Sequence, residues 1–333
     1  MKIKRIALAA LASALVAAPA ATAHPLHTTA GHISLVASST PNVAFGKLIS
    51  AFEGTAAGKE VSFDQSYGAA EAQVKAVIAG LPADIVDLSL SDNVGDLVKA
   101  GLVDRSWNKN RYGGIVTRSV VVFALRNGNP KHIRTWDDLI KPGVQVVTAN
   151  PFTSGGARWN ILAAYGSQLR EGKKPGPATD YLLELFRHVV SQDTSGRNAL
   201  NTFLAGKGDV LLTYENEAKL AQAQGKQLYY LIPKATLRIE NPLAILKKSS
   251  GNASVRAFYK FLYSPQGQEI WAQQGYRPVD PGVYDEHKAD FPIRPQLFTI
   301  QYLGGWDKVT PQFFDPQNGI MARIERSLGV STG

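Results

Sequence analysis

The residues from Asn150 to Trp159, NPFTSGGARW, are the stretch of this 333-residue chain best equipped to handle an anion. They join a predicted strand, Val144 to Thr148, to a predicted helix that starts near Ser154 and runs through Ile161, Leu162 and Tyr165 to a stop at Gly166. The first N–H groups of a helix have no partner within it and carry the positive end of its dipole. Here they belong to residues without bulk: Gly155 and Gly156 admit close approach to the backbone, while Thr153 and Ser154 add hydroxyl donors. Such a start is an anion site, although an ordinary capped helix has the same ingredients.

The arrangement recurs, which is what gives it weight. Predicted strand ends near residues 38, 65, 149 and 191 each lead through Ser, Thr, Gly or Ala into a helix, and Tyr214 ends a fifth strand. In an open α/β sheet these carboxyl ends lie along one edge, where ligands bind. Enzyme motifs are missing: there is no P-loop, no Gly-x-Ser-x-Gly, no Gly-x-Gly-x-x-Gly after a strand and no His-Glu-x-x-His. Thiol chemistry is excluded by the absence of cysteine, and Asp64, Asp87, Asp193 and Glu215 assemble with no nucleophile, base and metal set. The expectation is binding without catalysis, with no cofactor and no metal.

The elements that must position these loops alternate. Strand Ile33 to Ala37 passes through Thr40 as N-cap and Pro41 as first helical residue into a helix near Val43 to Phe52. Strand Val61 to Asp64 leads into a helix with Val74, Val77 and Ile78 on one face, and Ala83 to Leu88 is a short apolar strand. The alternation predicts largely parallel sheets covered by helices. Ile115 to Leu125 is longer than an ordinary strand of about 5–6 residues and reads as a crossing between two lobes, as does Pro242 to Leu246. A helix is expected at Trp136 to Ile140 and another ending at Val189-Val190, with donor-rich 193–198 following; further helices cover Glu215 to Gln222 and most of Ser254 to Trp271.

At the N-terminus Lys2, Lys4 and Arg5 precede an apolar run from Ile6 to Ala18 and the small residues Ala21 to Ala23, so 1–23 reads as a cleaved secretory signal. The run is short of the roughly 20 residues that span a bilayer, which argues against an uncleaved anchor. Removing it takes three cations from a formal charge of +9 and leaves +6 on 310 residues. The cations are scattered, the densest pair being Lys173-Lys174 in a loop, so nucleic acid is not an expected partner. His24, His27 and His32 fall in a polar lead-in and read as solvated, not as a metal tract. Without cysteine the exported chain has neither disulfides nor a lipid anchor, and 44% apolar composition suits two cores.

With these features in view, the mature chain resembles the periplasmic sulfate-binding proteins of ATP-driven sulfate and thiosulfate importers. The segments that carry the likeness are NPFTSGGARW at 150–159, GDVLLTYENEA at 208–218, YSPQGQE at 263–269, GYRPVDP at 275–281, LFTI at 297–300 and GGWDK at 304–308. The resemblance implies the type II periplasmic binding protein fold, two α/β lobes joined by crossing hinge segments. Lobe I would comprise 24–116 and 240–296, and lobe II 117–239 and 297–333. It also implies that neutral donors from both lobes hold a dehydrated sulfate.

Ser154, Gly155 and Gly156 match the family's donor loop, with Ser39 and Thr153 beside the donor positions; Arg158 and Arg197 match arginines that support such loops from behind, the alternative for each being an ordinary ion pair. Elsewhere the chain departs. The family's Asp-Pro-Thr-Arg-Glu reads TPNVA at 40–44, placing Thr40 at the aspartate, and its His-Gly-Gly-Ser-Gly-Lys-Gln reads YGAAEAQ at 67–73, placing Ala70 at the serine. Tyr214 stands for the donor tryptophan and Gly196 for the donor alanine. A lost buried hydrogen bond costs about 1–3 kcal/mol, roughly one to two decades of affinity.

The expectation is a monomeric periplasmic receptor that hands sulfate, or thiosulfate, to an inner-membrane ABC permease and its ATPase. Molybdate or an organic sulfonate or sulfate ester are the alternative ligands. A receptor that signals to a membrane sensor is a further possibility, and a secreted ester hydrolase is the competing class.

Overall fold

The computed structural model describes residues 31–330, so the signal expected at 1–23, together with His24 and His27, lies outside the described residues. The chain opens with β1 (Gly31–Ser38), α1 (Asn42–Glu53), β2 (Val61–Gly68), α2 (Ala70–Ile78), β3 (Ile85–Asp87) and α3 (Ser91–Lys99). β1 pairs in parallel with β2, from Gly31 opposite Val61 to Ser38 opposite Gly68, and on its other edge with β3. Both faces are covered. Ile33, Leu35 and Ala37 pack with Phe45, Leu48 and Phe258, while Val36 packs with Val74 and Leu97 on the opposite side. Burial on both faces is why β1 carries consecutive apolar residues from Leu35 to Ala37 in place of strict alternation.

β4 (Ile115–Arg126) then carries the chain into a second half built from β5 (Val146–Ala149), α4 (Gly155–Arg170), α5 (Pro175–Arg187), β6 (Val189–Asp193), α6 (Gly196–Leu204), β7 (Val210–Tyr214), α7 (Glu215–Ala223) and β8 (Leu228–Leu231). β9 (Ala235–Ile245) brings it back. β4 and β9 pair antiparallel between Ile115–Pro242 and Val120–Arg238; beyond that stretch β4 pairs with β7 and β9 with β3. The strand order is therefore β2-β1-β3-β9-β4-β7-β5-β6, two parallel halves joined through the crossing pair.

α8 (Ala253–Leu262) and α9 (Pro265–Gln273) return to the first half, where Trp271 meets Phe45 edge-on at 5.2 Å between ring centroids. β10 (Arg277–Pro278) and α10 (Pro281–Glu286) follow, and β11 (Gln296–Phe298) pairs with β9. α11 (Trp306–Phe314) and α12 (Ile320–Ser327) cover the second half, with Phe313 against Tyr165. Among the described residues no helix is long and apolar enough to cross a membrane.

Several local expectations are corrected. Gly166 does not stop α4, which continues to Arg170; a Cβ there would lie 2.4 Å from the Phe298 ring, so this glycine lets two elements touch. Val189 and Val190 belong to β6 instead of ending a helix: Val189 pairs with Val146 of β5, and Val190 sits at the bulge before Ser191 pairs with Val147. Residues 137–140 form a 3₁₀ turn in place of a helix, cut short before Pro142-Gly143. β2 extends four residues past Asp64, since β1 pairs with it along its whole length. α1 starts at Asn42, with Pro41 at the N-cap position and no side-chain cap from Thr40.

Candidate functional site

The carboxyl ends of β1, β2, β5, β6 and β7 meet where the two halves face each other. Ser39, Thr40, Ala70, Ser154, Gly156, Gly196 and Tyr214 line one enclosed cavity there, six of the seven residues expected to bind together with a supporting one. Ser38, Ala69, Ser89, Asn160 and Ser195 line it as well. Its volume is only about 10 Å³, near the size of one small sphere and far below an ordinary drug-sized pocket.

Each wall is made by a helix start. Ser154 caps α4, its Oγ accepting from the Ala157 N–H at 3.4 Å, and Ser195 caps α6 through the Asn198 N–H at 3.2 Å. Ala69 holds the extended N-cap conformation before α2, and Tyr214 does the same before α7. Four dipoles thus point their positive ends toward the cavity. Among the described residues lining it there is no Lys, Arg, Asp or Glu. The buried hydroxyls of Ser38 and Tyr214 have no hydrogen-bond partner among the described residues, and Tyr214 is flanked by Ser89 and Asn241. Burial holds the Tyr214 phenol well above its usual range, so it is a neutral donor.

The two arginines stand behind this lining, each neutralised. Arg197 donates to both Glu217 oxygens at 2.8 Å and to the Thr40 carbonyl at 2.9 Å; Glu217 is fully buried. Arg158 donates to the Pro151 carbonyl at 3.0 Å, supports the donor loop from within and pairs with Glu71 at 3.2 Å. Thr153 is tied to the neighbouring loop, its hydroxyl donating to the Thr194 carbonyl at 2.9 Å. Contacts across the cleft fix its width: the Glu71 N–H donates to the Thr153 carbonyl, and the Trp159 indole N–H donates to the Ser89 carbonyl at 2.9 Å.

Gly155 differs from its expected place. It is not on the cavity wall; a Cβ would fall 2.5 Å from Ser89 Cβ and 3.0 Å from Leu90 Cγ, so its bareness lets the halves approach each other. Gly156, in contrast, faces the cavity, with the Tyr214 ring 3.5 Å from where its Cβ would lie. Sequence reasoning missed Ser89, although it follows β3 as the other donor loops follow their strands. Asn160 could not have been found that way, because its amide reaches Thr148 and the Leu212 carbonyl from a full turn inside α4.

Asp87, at the end of β3, is also near this floor. It is 1% exposed, both its carboxyl oxygens lack hydrogen-bond partners among the described residues, and burial pushes its pKa well above the usual carboxylate range.

Comparison with known proteins follows the same lines. A family profile described as bacterial extracellular solute-binding protein matches residues 33–277. A sulfate-binding protein of Synechococcus elongatus is 40% identical over 85% of this chain and 83% of its own, and one of Escherichia coli is 39% identical over 81% and 85%. The chain belongs to the sulfate-binding protein family of bacterial extracellular solute-binding proteins. A solved structure of the family, the sulfate-binding protein SubI from Mycobacterium tuberculosis, superposes with a TM-score of 0.83 at 42% identity, covering 86% of this chain and all of that one. A thiosulfate-binding protein of Pseudomonas aeruginosa is more distant, 34% identical over 77% of this chain and 80% of its own. The periplasmic binding protein fold implied by the sequence is the observed one.

Proposed function

We propose that this chain is a periplasmic receptor that captures sulfate between its two lobes and presents it to an inner-membrane ABC permease driven by an ATPase. The observation that carries the reading is the meeting of four helix N-termini around a cavity walled by neutral groups. A dianion there is held by dipoles and N–H donors, with the hydroxyls of Thr40, Ser154 and Tyr214 and the backbone of Ala70, Gly156 and Gly196 in reach. The small volume leaves no room for the body of an organic sulfonate, which would require the lobes to part. Thiosulfate, similar in size, is the second ligand to try, because relatives at 32–34% identity bear that name.

The lobes are assigned as 24–116 with 240–296, and 117–239 with 297–333. Support comes from the cores: apolar clusters on one side include Val116, Leu243 and Tyr276, and those on the other, apart from Leu90 reaching across from the first half, begin at Val120, end at Ile239 and resume at Leu297 and Phe298. β4 and β9 are then the hinge. The protein acts as a monomer without catalysis, and residues 1–23 direct export.

The test is calorimetric titration of residues 24–333, unfolded and refolded to remove carried ligand, with sulfate, thiosulfate, molybdate, phosphate and taurine. Tight, stoichiometric sulfate binding is the expected result. Heat with molybdate or taurine but none with sulfate would mean that Thr40, Ala70 and Tyr214 have re-specified the pocket. Sulfate-ester turnover abolished by Ser154→Ala would overturn the non-catalytic reading.

A further inference from the structure

A second pocket, this one lined by arginines, lies on the crossing strands and shares no lining residue with the cleft. On the β4–β9 ladder Arg118 stands opposite Glu240 and Val120 opposite Arg238, which places all four side chains on one face. β10 adds Arg277 opposite Arg118. These arginines are not equivalent. Arg277 is buried and held by both oxygens of Glu215 at 2.7 and 3.2 Å. Arg238 takes Glu240 at 2.7 Å. The Arg118 side chain makes no hydrogen bond to any described residue; its nearest acid is that same Glu240, at 4.0 Å.

Three guanidinium groups thus meet two carboxylates, and the positive charge left over rests on a side chain only 32% exposed. Burial, and then the neighbouring Arg238, pull the Arg118 guanidinium below its usual range, with Glu240 opposing them. The surrounding walls are apolar: Val120, Pro278, Leu297 and the Tyr284 ring line a pocket of about 280 Å³, and Ile293 stands 68% exposed at its edge. A guanidinium satisfies a carboxylate or sulfonate with two parallel hydrogen bonds, and this one has all its donors free. The volume is at the lower end for small-molecule sites, enough for a body the size of one aromatic ring.

We propose that this pocket binds a small organic monoanion, a carboxylate or sulfonate on an apolar body, with Arg118 meeting the charged group. The occupant touches β4, β9 and the 277–297 segment at once. It therefore braces the two strands that connect the halves of the sheet.

Benzoate is a suitable probe, added to the mature protein with sulfate present at saturation so that the cleft is occupied. Amide shifts followed by NMR should saturate at one site with Kd of about 1 mM or tighter, confined to residues near 118–120, 238 and 277–297. Arg118→Gln should weaken benzoate about tenfold or more while sulfate affinity stays unchanged, and raising the salt concentration should weaken benzoate in the parent. Absence of saturable shifts at concentrations about tenfold above that Kd overturns the proposal. So does equal binding of benzyl alcohol, which would assign the site to the apolar walls alone. Because the shifts report the pocket directly, a failure of sulfate to bind would count against the cleft reading and leave this one standing.

Discussion

The cleft and the arginine pocket are two solutions to holding negative charge, and they differ in where the positive charge resides. At the cleft both nearby arginines are neutralised, Arg197 by Glu217 and Arg158 by Glu71, and the lining presents only dipoles and hydroxyls. In the pocket the cation itself forms the wall, and Arg118 lacks a close carboxylate. A neutral lining discriminates by donor geometry and volume, since every donor needs an acceptor oxygen in the right place. A bare cation is less selective: it accepts any anion whose body fits.

Four interventions sharpen this contrast, beginning with the largest expected loss of stability. Glu215→Gln should do most, because it strands Arg277 and makes a second unpaired guanidinium beside the pocket. Both partners are nearly fully buried, and burial already holds the Glu215 carboxyl above its usual range even with Arg277 beside it. Breaking such a pair costs about 3–5 kcal/mol, to be read as a lower urea midpoint. An unchanged midpoint would show that water reaches Arg277.

Ser154→Ala removes a cavity hydroxyl and the N-cap of α4 together. Sulfate affinity should fall by about one to two decades, for about 1–3 kcal/mol of lost hydrogen bonding, with a stability loss of about 1 kcal/mol from the cap. Calorimetry and thermal melting separate the two. Gly155→Asp should abolish capture by a different route from the one its sequence suggested, since its Cβ collides with Ser89 and holds the cleft open. Small-angle scattering with sulfate would then show no compaction.

Asp87→Asn tests how deep the neutrality of the cleft region extends. The native pKa of Asp87 is raised above its unfolded value, so the native state binds the extra proton and the carboxyl lowers stability as pH rises above about 4. The variant should therefore melt higher than the parent at neutral pH, with the gap closing as pH falls toward about 4, below which both states of the parent are protonated. A gap independent of pH would mean that Asp87 is already ionised and solvated.

What was legible in the sequence follows the range of the forces involved. Helix starts and strand ends are local chemistry, and the loops that bring Ser154, Gly156 and Gly196 to the cavity could be picked out from their neighbours. Features decided by distant partners could not. Gly166 reads as a helix stop until Phe298, arriving from the far end of the chain, is found against it. Val189 is drawn into a strand only by its pairing with Val146 of β5. The arginines were found, but their carboxylates were not, because Glu71 and Glu217 lie on other helices and look like exposed acids. Arg118 passed unremarked for the same reason, its significance being a partner it lacks.

The crossing strands also govern the order in which the molecule can form. β3 finds its antiparallel partner only in β9, Ile85 pairing with Ile245. The first half of the sheet therefore has an open edge until most of the chain has been made. Contacts this distant in sequence slow folding and leave strand edges exposed while they wait. A chain threaded from its N-terminus cannot complete this half early, so it remains incompletely folded until β9 emerges.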